Sequence, residues 1–386
     1  MRPAAAAPSA VTRALARARR AVAVAALGGP LAVMGLAGPA AAQPALPAAG
    51  LAAMAPGGVA SPASAPAAAA PALAATCPPP VLAPPVLPAP RDRGLLWRLE
   101  RDGRVSWLYA TVHAGRPHWA EPGPRLRAAL DAADVLALEV DPADPAVLQA
   151  MQAVPAAPTL PPALQQRLDG AAARLCLPTG LLAPLHPVLQ LATVTLLEGR
   201  WLGLDAAFGV ELTLAAQARR RGLPVVALET AAGQMQALLP DPAADLAPQL
   251  EQGLVLLESQ AARRQLERLV QAWEQGDLDT LQRYPEWCDC VHTDADRAAL
   301  QRLNDDRNGP LAAAIAARHA AGQRVLAAIG ALHMTGPQAV QALLAARGFS
   351  VRPVWPEPVA GGPTPRAAPG RTMPGERAAD ARQEPR

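Results

Sequence analysis

Two histidines stand in matching contexts. The run Trp107-Leu108-Tyr109-Ala110-Thr111-Val112-His113 is apolar and β-branched until it stops on an imidazole, and Ala114-Gly115-Arg116-Pro117 then turns the chain. Far downstream, Val325-Leu326-Ala327-Ala328-Ile329-Gly330-Ala331-Leu332-His333 repeats the design, with Met334-Thr335-Gly336-Pro337 as its turn. Both runs read as buried strands. Two other short apolar runs carry an acid near the end: Val135-Leu136-Ala137-Leu138-Glu139-Val140, stopped by Asp141-Pro142, and Pro224-Val225-Val226-Ala227-Leu228-Glu229. If the four strands run parallel, His113, Glu139, Glu229 and His333 lie along one sheet edge, where ligands bind in open α/β folds. Two imidazoles with one or two carboxylates suit a divalent cation with open positions, able to polarise a carbonyl or activate water. The plainer readings stand beside this one. A strand-end histidine is more often structural, and a strand-end glutamate can simply accept backbone hydrogen bonds.

The remaining candidates are weaker. His118 lies between Pro117 and Trp119, which favours packing or substrate contact over ligation. His186 is at a helix start, His292 in a loop, and His319 is expected on a solvated helix face beside Arg318. The chain has no Gly-rich phosphate loop, no nucleophile elbow and no HExxH. Lysine is absent, which excludes Schiff-base chemistry.

The elements that position these residues occupy part of the 386-residue chain. Residues 1–42 read as a cleavable secretory signal: Arg13, Arg17, Arg19 and Arg20 precede the apolar stretch Ala21 to Leu36, and Ala40-Ala41-Ala42 offers a cleavage site. The rival is an uncleaved anchor, disfavoured because Gly28, Gly29 and Pro30 break the stretch. The five arginines of this segment exceed the whole formal surplus of +3, so the rest of the chain carries −2, which argues against a nucleic-acid surface. Residues 43–92 form an Ala/Pro-rich spacer, expected to be disordered, and 357–386 a disordered tail. Between them, 93–356 reads as a single α/β domain with a central mixed sheet, histidines and carboxylates at strand C-terminal ends, and a helical cap region. Asp102-Gly103 signals a hairpin. Helices are expected over Arg125 to Ala133, Leu160 to Leu175, Leu189 to Glu198, Phe208 to Arg221 and Leu311 to Ala321. Thr230 reads as an N-cap and Thr293 with Asp296 as a capping box. Residues 243–283 read as one long amphipathic region, with Val255, Ala262, Leu266, Leu269 and Trp273 on one side. Four cysteines in an exported chain suggest disulfides; Cys288 and Cys290 are expected to pair separately with Cys77 and Cys176, stapling the spacer to the body.

These residues resemble the TraB/GumN family, which includes the Tiki-type metalloproteases. The resemblance spans about 93–354. It rests on Leu96-Trp97-Arg98-Leu99, Leu108 to His113, Leu138-Glu139-Val140-Asp141, Gly203-Leu204-Asp205, Leu228-Glu229-Thr230 with Gln234 and Gln236, Asp306-Arg307-Asn308, Gly330-Ala331-Leu332-His333, and Leu343 to Gly348. Tiki-like members are metal-dependent peptidases with two G-x-x-H motifs and a glutamate strand. Gly330 to His333 matches the second motif; in the first, Ala110 replaces the glycine. The resemblance implies that His113, His333 and Glu139 hold or surround a divalent ion of unknown identity. It matches Glu229 to a recurring acid of unknown role, expected here as a further ligand or general base, and implies that Arg307 forms an ion pair or stabilises developing charge. The expected protein is a periplasmic or secreted metal-dependent hydrolase acting on a peptide or small molecule, with no integral membrane span after signal cleavage. The alternative is a non-catalytic haem- or ligand-binding module of the same fold.

Overall fold

The computed structural model describes residues 77–154, 159–239 and 246–357. The expected export signal, most of the expected spacer and the tail beyond Glu357 lie outside the described residues.

The chain enters the fold through a hairpin. β1 (Leu96–Arg101) and β2 (Arg104–Thr111) pair antiparallel, Arg101 opposite Arg104. Asp102 and Gly103 both take positive φ, 51° and 71°, the left-handed pair that a two-residue turn needs. Then follow β3 (Val135–Leu138), β4 (Val225–Ala227), β5 (Val325–Gly330) and β6 (Ser350–Trp355), in the sheet order β4-β3-β5-β2-β1-β6. β4, β3, β5 and β2 are mutually parallel neighbours, and β1 is the single reversed strand. Every residue of β3 and β5 is buried. That matches their unbroken apolar sequence, since a parallel strand covered on both faces has no polar side to alternate with.

Helices fill the connections: α1 (Pro124–Ala132), α2 (Pro145–Gln152), α3 (Pro162–Arg174), α4 (Pro187–Leu197), α5 (Val210–Arg220), α6 (Ala231–Leu238), α7 (Ala247–Glu258), α8 (Ala261–Gln275), α9 (Leu278–Gln282), α10 (Tyr284–Trp287), α11 (Asp294–Leu303), α12 (Asp305–Ala320) and α13 (Val340–Ala346). Thr230 caps α6 through the Gly233 N–H at 3.0 Å, and Thr293 and Asp296 form the reciprocal box that opens α11. α8 is tied to the sheet by its fully buried Trp273, whose Nε1 donates to the Ala110 carbonyl at 2.8 Å. Ala110 sits in regular strand paired with Ile329, so nothing there demands a glycine.

Four expectations need correction. The described part of the 243–283 region is three helices, because Gln260 (φ 58°) turns left-handed between α7 and α8 and Gly276 (φ 70°) between α8 and α9, while apolar periodicity runs on through the first break. Val255, expected on its buried side, is 54% exposed. His319 is buried: its Nδ1 lies 2.8 Å from Ser106 Oγ, and its Nε2 lies 3.0 Å from the Arg101 carbonyl oxygen. The cysteines pair as Cys77–Cys176 and Cys288–Cys290. Cys288 and Cys290 are close in sequence, yet Asp289 takes φ 50° and brings their Cα atoms to 5.1 Å, inside the bonding range. Cys77 does staple the spacer's end to the body, beside the end of α3.

Candidate functional site

The four parallel strands finish at one edge. β2 stops at Thr111 and delivers His113; β3 stops at Leu138 and delivers Glu139; β4 stops at Ala227, two residues before Glu229. β5 stops at Gly330, and His333 lies on the 3-10 turn Ala331–Met334 rather than on the strand itself. The ladder between β3 and β4 holds the two acids together, with the Glu229 N–H donating to the Glu139 carbonyl at 3.0 Å.

Gly330 is the point around which the side chains gather. Its N–H donates to Glu139 Oε1 at 2.8 Å. A Cβ on this residue would sit 3.2 Å from Glu139 Oε1, 3.6 Å from His333 Cδ2 and 3.7 Å from His113 Nε2. The glycine therefore matters to the close approach of the Glu139 carboxylate, while the two imidazoles would meet a Cβ at ordinary contact distance.

Arg307, in the first turn of α12, binds the acids together. Its Nη2 donates to Glu139 Oε2 and Glu229 Oε1, and its Nε to Glu229 Oε2 at 3.1 Å. Its Nη1 donates to the Leu303 carbonyl at 2.8 Å and lies 3.3 Å from His333 Nε2. All five guanidinium donors are thus engaged. The start of α12 explains this reach. The run Asp305-Asp306-Arg307-Asn308 opens the helix, which begins six residues earlier than the expected Leu311 and runs through Pro310.

Both imidazoles are held by the same nitrogen. His113 Nδ1 lies 3.0 Å from Glu211 Oε1, a residue of the first turn of α5. His333 Nδ1 lies 2.6 Å from Asn308 Oδ1, and the Asn308 amide nitrogen donates back to the His333 carbonyl at 3.4 Å. Arg307 is only a donor, so the network assigns the His333 proton to Nδ1 and leaves Nε2 as a bare acceptor. Burial pulls the His113 pKa down, but Glu211, with Glu139 beyond it, more than offsets this and lifts it above the usual value. Burial takes His333 down to about 4, so it is neutral at physiological pH.

The two carboxylates are driven apart. Burial would raise Glu139, but Arg307 and the histidines outweigh it and hold this carboxyl well below the usual range. Glu229 goes the other way, raised chiefly by burial and by Glu139. Gln234 Nε2 bridges the pair, at 3.1 Å from Glu139 Oε2 and 3.0 Å from Glu229 Oε1.

His113, Glu139, Arg307, Gly330 and His333 line one cavity of about 50 Å³, covered by Leu266, Leu269 and Val270 of α8. Glu229 does not line it and stands behind Arg307. Among the described residues, no three His, Cys, Asp or Glu side chains are gathered at the spacing of a closed cation site. Sequence reasoning missed Glu211 and Asn308. Glu211 reads as an acid favouring a helix N-terminus, and Asn308 as one more polar residue of a turn.

The chain matches the family model for TraB/PrgY/gumN proteins over residues 95–353. No curated protein and no solved structure matches it. The match covers more than half of the chain and all six strands but the last residues of β6. The chain therefore belongs to the TraB/PrgY/gumN family.

Proposed function

We infer that this protein is a metal-dependent hydrolase of the peptidase type, exported from the cytoplasm. One observation carries the reading: each imidazole is held at Nδ1 by a neighbouring acceptor, leaving Nε2 towards the same cavity. This is how metal-ligating histidines are oriented and kept in one tautomer. The donor types are those a divalent ion takes: His113 and His333 would offer Nε2 and Glu139 its ionised carboxylate, with Arg307 giving up the contacts it now makes to Glu139 and His333. The charge balance favours a cation too: Glu139 and Glu229 share Arg307, and Glu211 adds a third carboxylate at His113. Such an ion would polarise a scissile carbonyl and lower the pKa of water.

The other roles follow from the chain's own contacts. Glu139, held ionised, suits charge neutralisation rather than proton donation. Glu229 grips Arg307 with both oxygens and is a positioning residue. Arg307 Nη1, which lies 3.3 Å from His333 Nε2, would be the donor available to a substrate oxygen bearing developing charge if His333 held the ion. Two disulfides support export to an oxidising compartment, and no helix among the described residues is long and apolar enough to cross a membrane. The haem-binding alternative has less support, because a cavity of about 50 Å³ leaves no room for a tetrapyrrole.

The test is elemental analysis of the purified full chain beside His113→Ala/His333→Ala, after refilling with zinc, manganese or cobalt. A near-stoichiometric ion in the wild type, absent from the double variant, is expected. No ion in either overturns the reading.

A further inference from the structure

A second cavity adjoins the first. It encloses about 230 Å³ between α4, α7, α8 and α11, and shares Leu266 and Leu303 with the smaller one as a common wall. Its interior is aliphatic, built from side chains such as Leu191, Leu256 and Leu300. Among the described residues, the only charged one lining it is Asp296. That carboxylate is already committed to the α11 cap, accepting from the N–H groups of Thr293 at 2.8 Å and His292 at 3.0 Å. Gln249, Gln252 and Gln265 add uncharged amides to the lining.

The two volumes differ in what they can hold. A cavity of about 50 Å³ accommodates a reacting group and little more. Whatever is attached to that group must lie elsewhere, and the larger cavity is separated from it by two leucine side chains. Aliphatic walls reject charged side chains, which would lose their hydration without gaining a partner. Glutamine amides can both donate to and accept from a peptide backbone, which a plain hydrocarbon tail would not use.

We propose that this cavity is a substrate subsite that takes an uncharged aliphatic side chain of a peptide next to the bond presented to the histidine centre. The proposal deepens the hydrolase reading and rests on it for the identity of the reacting bond, while the binding itself is independent of the ion.

The test uses the full chain with the neutral fluorophore N-phenyl-1-naphthylamine as probe, displaced by Ac-Leu-Leu-NH2, Ac-Glu-Glu-NH2 or decanamide. Saturable single-site binding is expected, with the leucine peptide displacing the dye at concentrations roughly tenfold or more below the acidic one, as burial of one aliphatic side chain implies. Ala299→Phe, which fills the cavity, and Leu256→Gln, which makes it polar, should each weaken the leucine peptide about tenfold while melting like the wild type. His113→Ala/His333→Ala should bind it unchanged. Absence of saturable binding, equal displacement by both peptides, or undiminished binding in the two cavity variants overturns the proposal. Displacement by decanamide but not by the leucine peptide also overturns it, in favour of an acyl pocket. A chain that binds the leucine peptide but no ion keeps the subsite and loses the hydrolase; one that binds the ion but not the peptide does the reverse.

Discussion

Arg307→Met is the most informative single change. Among the described residues, the arginine is the one cation shared by buried Glu139 and part-buried Glu229, with side chains 8% (Arg307), 7% (Glu139) and 14% (Glu229) exposed. Methionine fills similar space without charge or donors. Removing one partner of a buried ion pair costs about 3–5 kcal/mol, because the other charge is left without compensation. Here the lower end applies. Glu139 keeps the Gly330 N–H at 2.8 Å, and both acids keep the Gln234 amide, so a loss of about 3 kcal/mol is expected near pH 7. The pH dependence has a definite sign. The Glu139 pKa is held below the ordinary carboxylate value of about 4.5, so the stabilisation it draws from Arg307 is present above that pH. It is lost as the pH falls through the native value, and the variant's deficit should shrink on acidification. Urea unfolding with a chelator present, at pH 7.5 and pH 4, measures both. Glu229→Gln in the Arg307→Met background should recover part of the loss, since it removes the like charge that burial and Glu139 already make costly. A deficit below about 1 kcal/mol at pH 7.5, or one that grows on acidification, would refute the assignment of Arg307 as the charge partner of both acids.

Asn308→Ala removes the acceptor that fixes the His333 tautomer and should lower ion affinity about 10–100-fold in competition with a chromophoric chelator; unchanged affinity would detach Asn308 from the site. Gly330→Ala places a methyl group 3.2 Å from Glu139 Oε1 and should cut hydrolysis about a hundredfold while the far-ultraviolet circular dichroism stays native. The disulfides should differ in urea unfolding. Cys77→Ser/Cys176→Ser opens a loop of 99 residues and should cost up to about 4.7 kcal/mol, whereas Cys288→Ser/Cys290→Ser, two residues apart, should cost less than about 2 kcal/mol. The reverse order would contradict a chain-entropy origin.

Strands were legible where their environment is uniform. β3 and β5 are buried throughout, and their apolar runs announce it. The hairpin was legible because Asp102-Gly103 is among the few pairs that accept two successive left-handed residues. Breaks that depend on one unexpected φ were not. Gln260 and Asp289 both turn left-handed without being glycine, and one splits a helix while the other closes a disulfide. His319 misled for a related reason: its neighbour Arg318 is polar, but a helix turns 100° per residue, so adjacent positions face different surroundings. What buries His319 is Ser106, 213 positions away, and no local pattern reports that.

The candidate site divides along the same line. His113, Glu139, Glu229 and His333 each lie at or within three residues of a strand end, so local pattern finds them and parallel pairing brings them together. Arg307 needed the family resemblance, because nothing in Asp305-Asp306-Arg307-Asn308 distinguishes a buried helix start from a solvated turn. Glu211 had no signal and Asn308 only its place in the landmark Asp306-Arg307-Asn308, yet they hold Nδ1 of the two histidines. A strand-end histidine left to itself can present either nitrogen. Two that both offer Nε2 require two separate acceptors, one brought by α5 and the other by α12. In His333 that orientation also hands Nε2 to Arg307 Nη1 at 3.3 Å, so packing satisfies this imidazole at both nitrogens. Under the proposed reading, what sets the centre apart from a structural polar cluster is His113, anchored at Nδ1 with its Nε2 near Gly330, and the three carboxylates that share the site with one arginine.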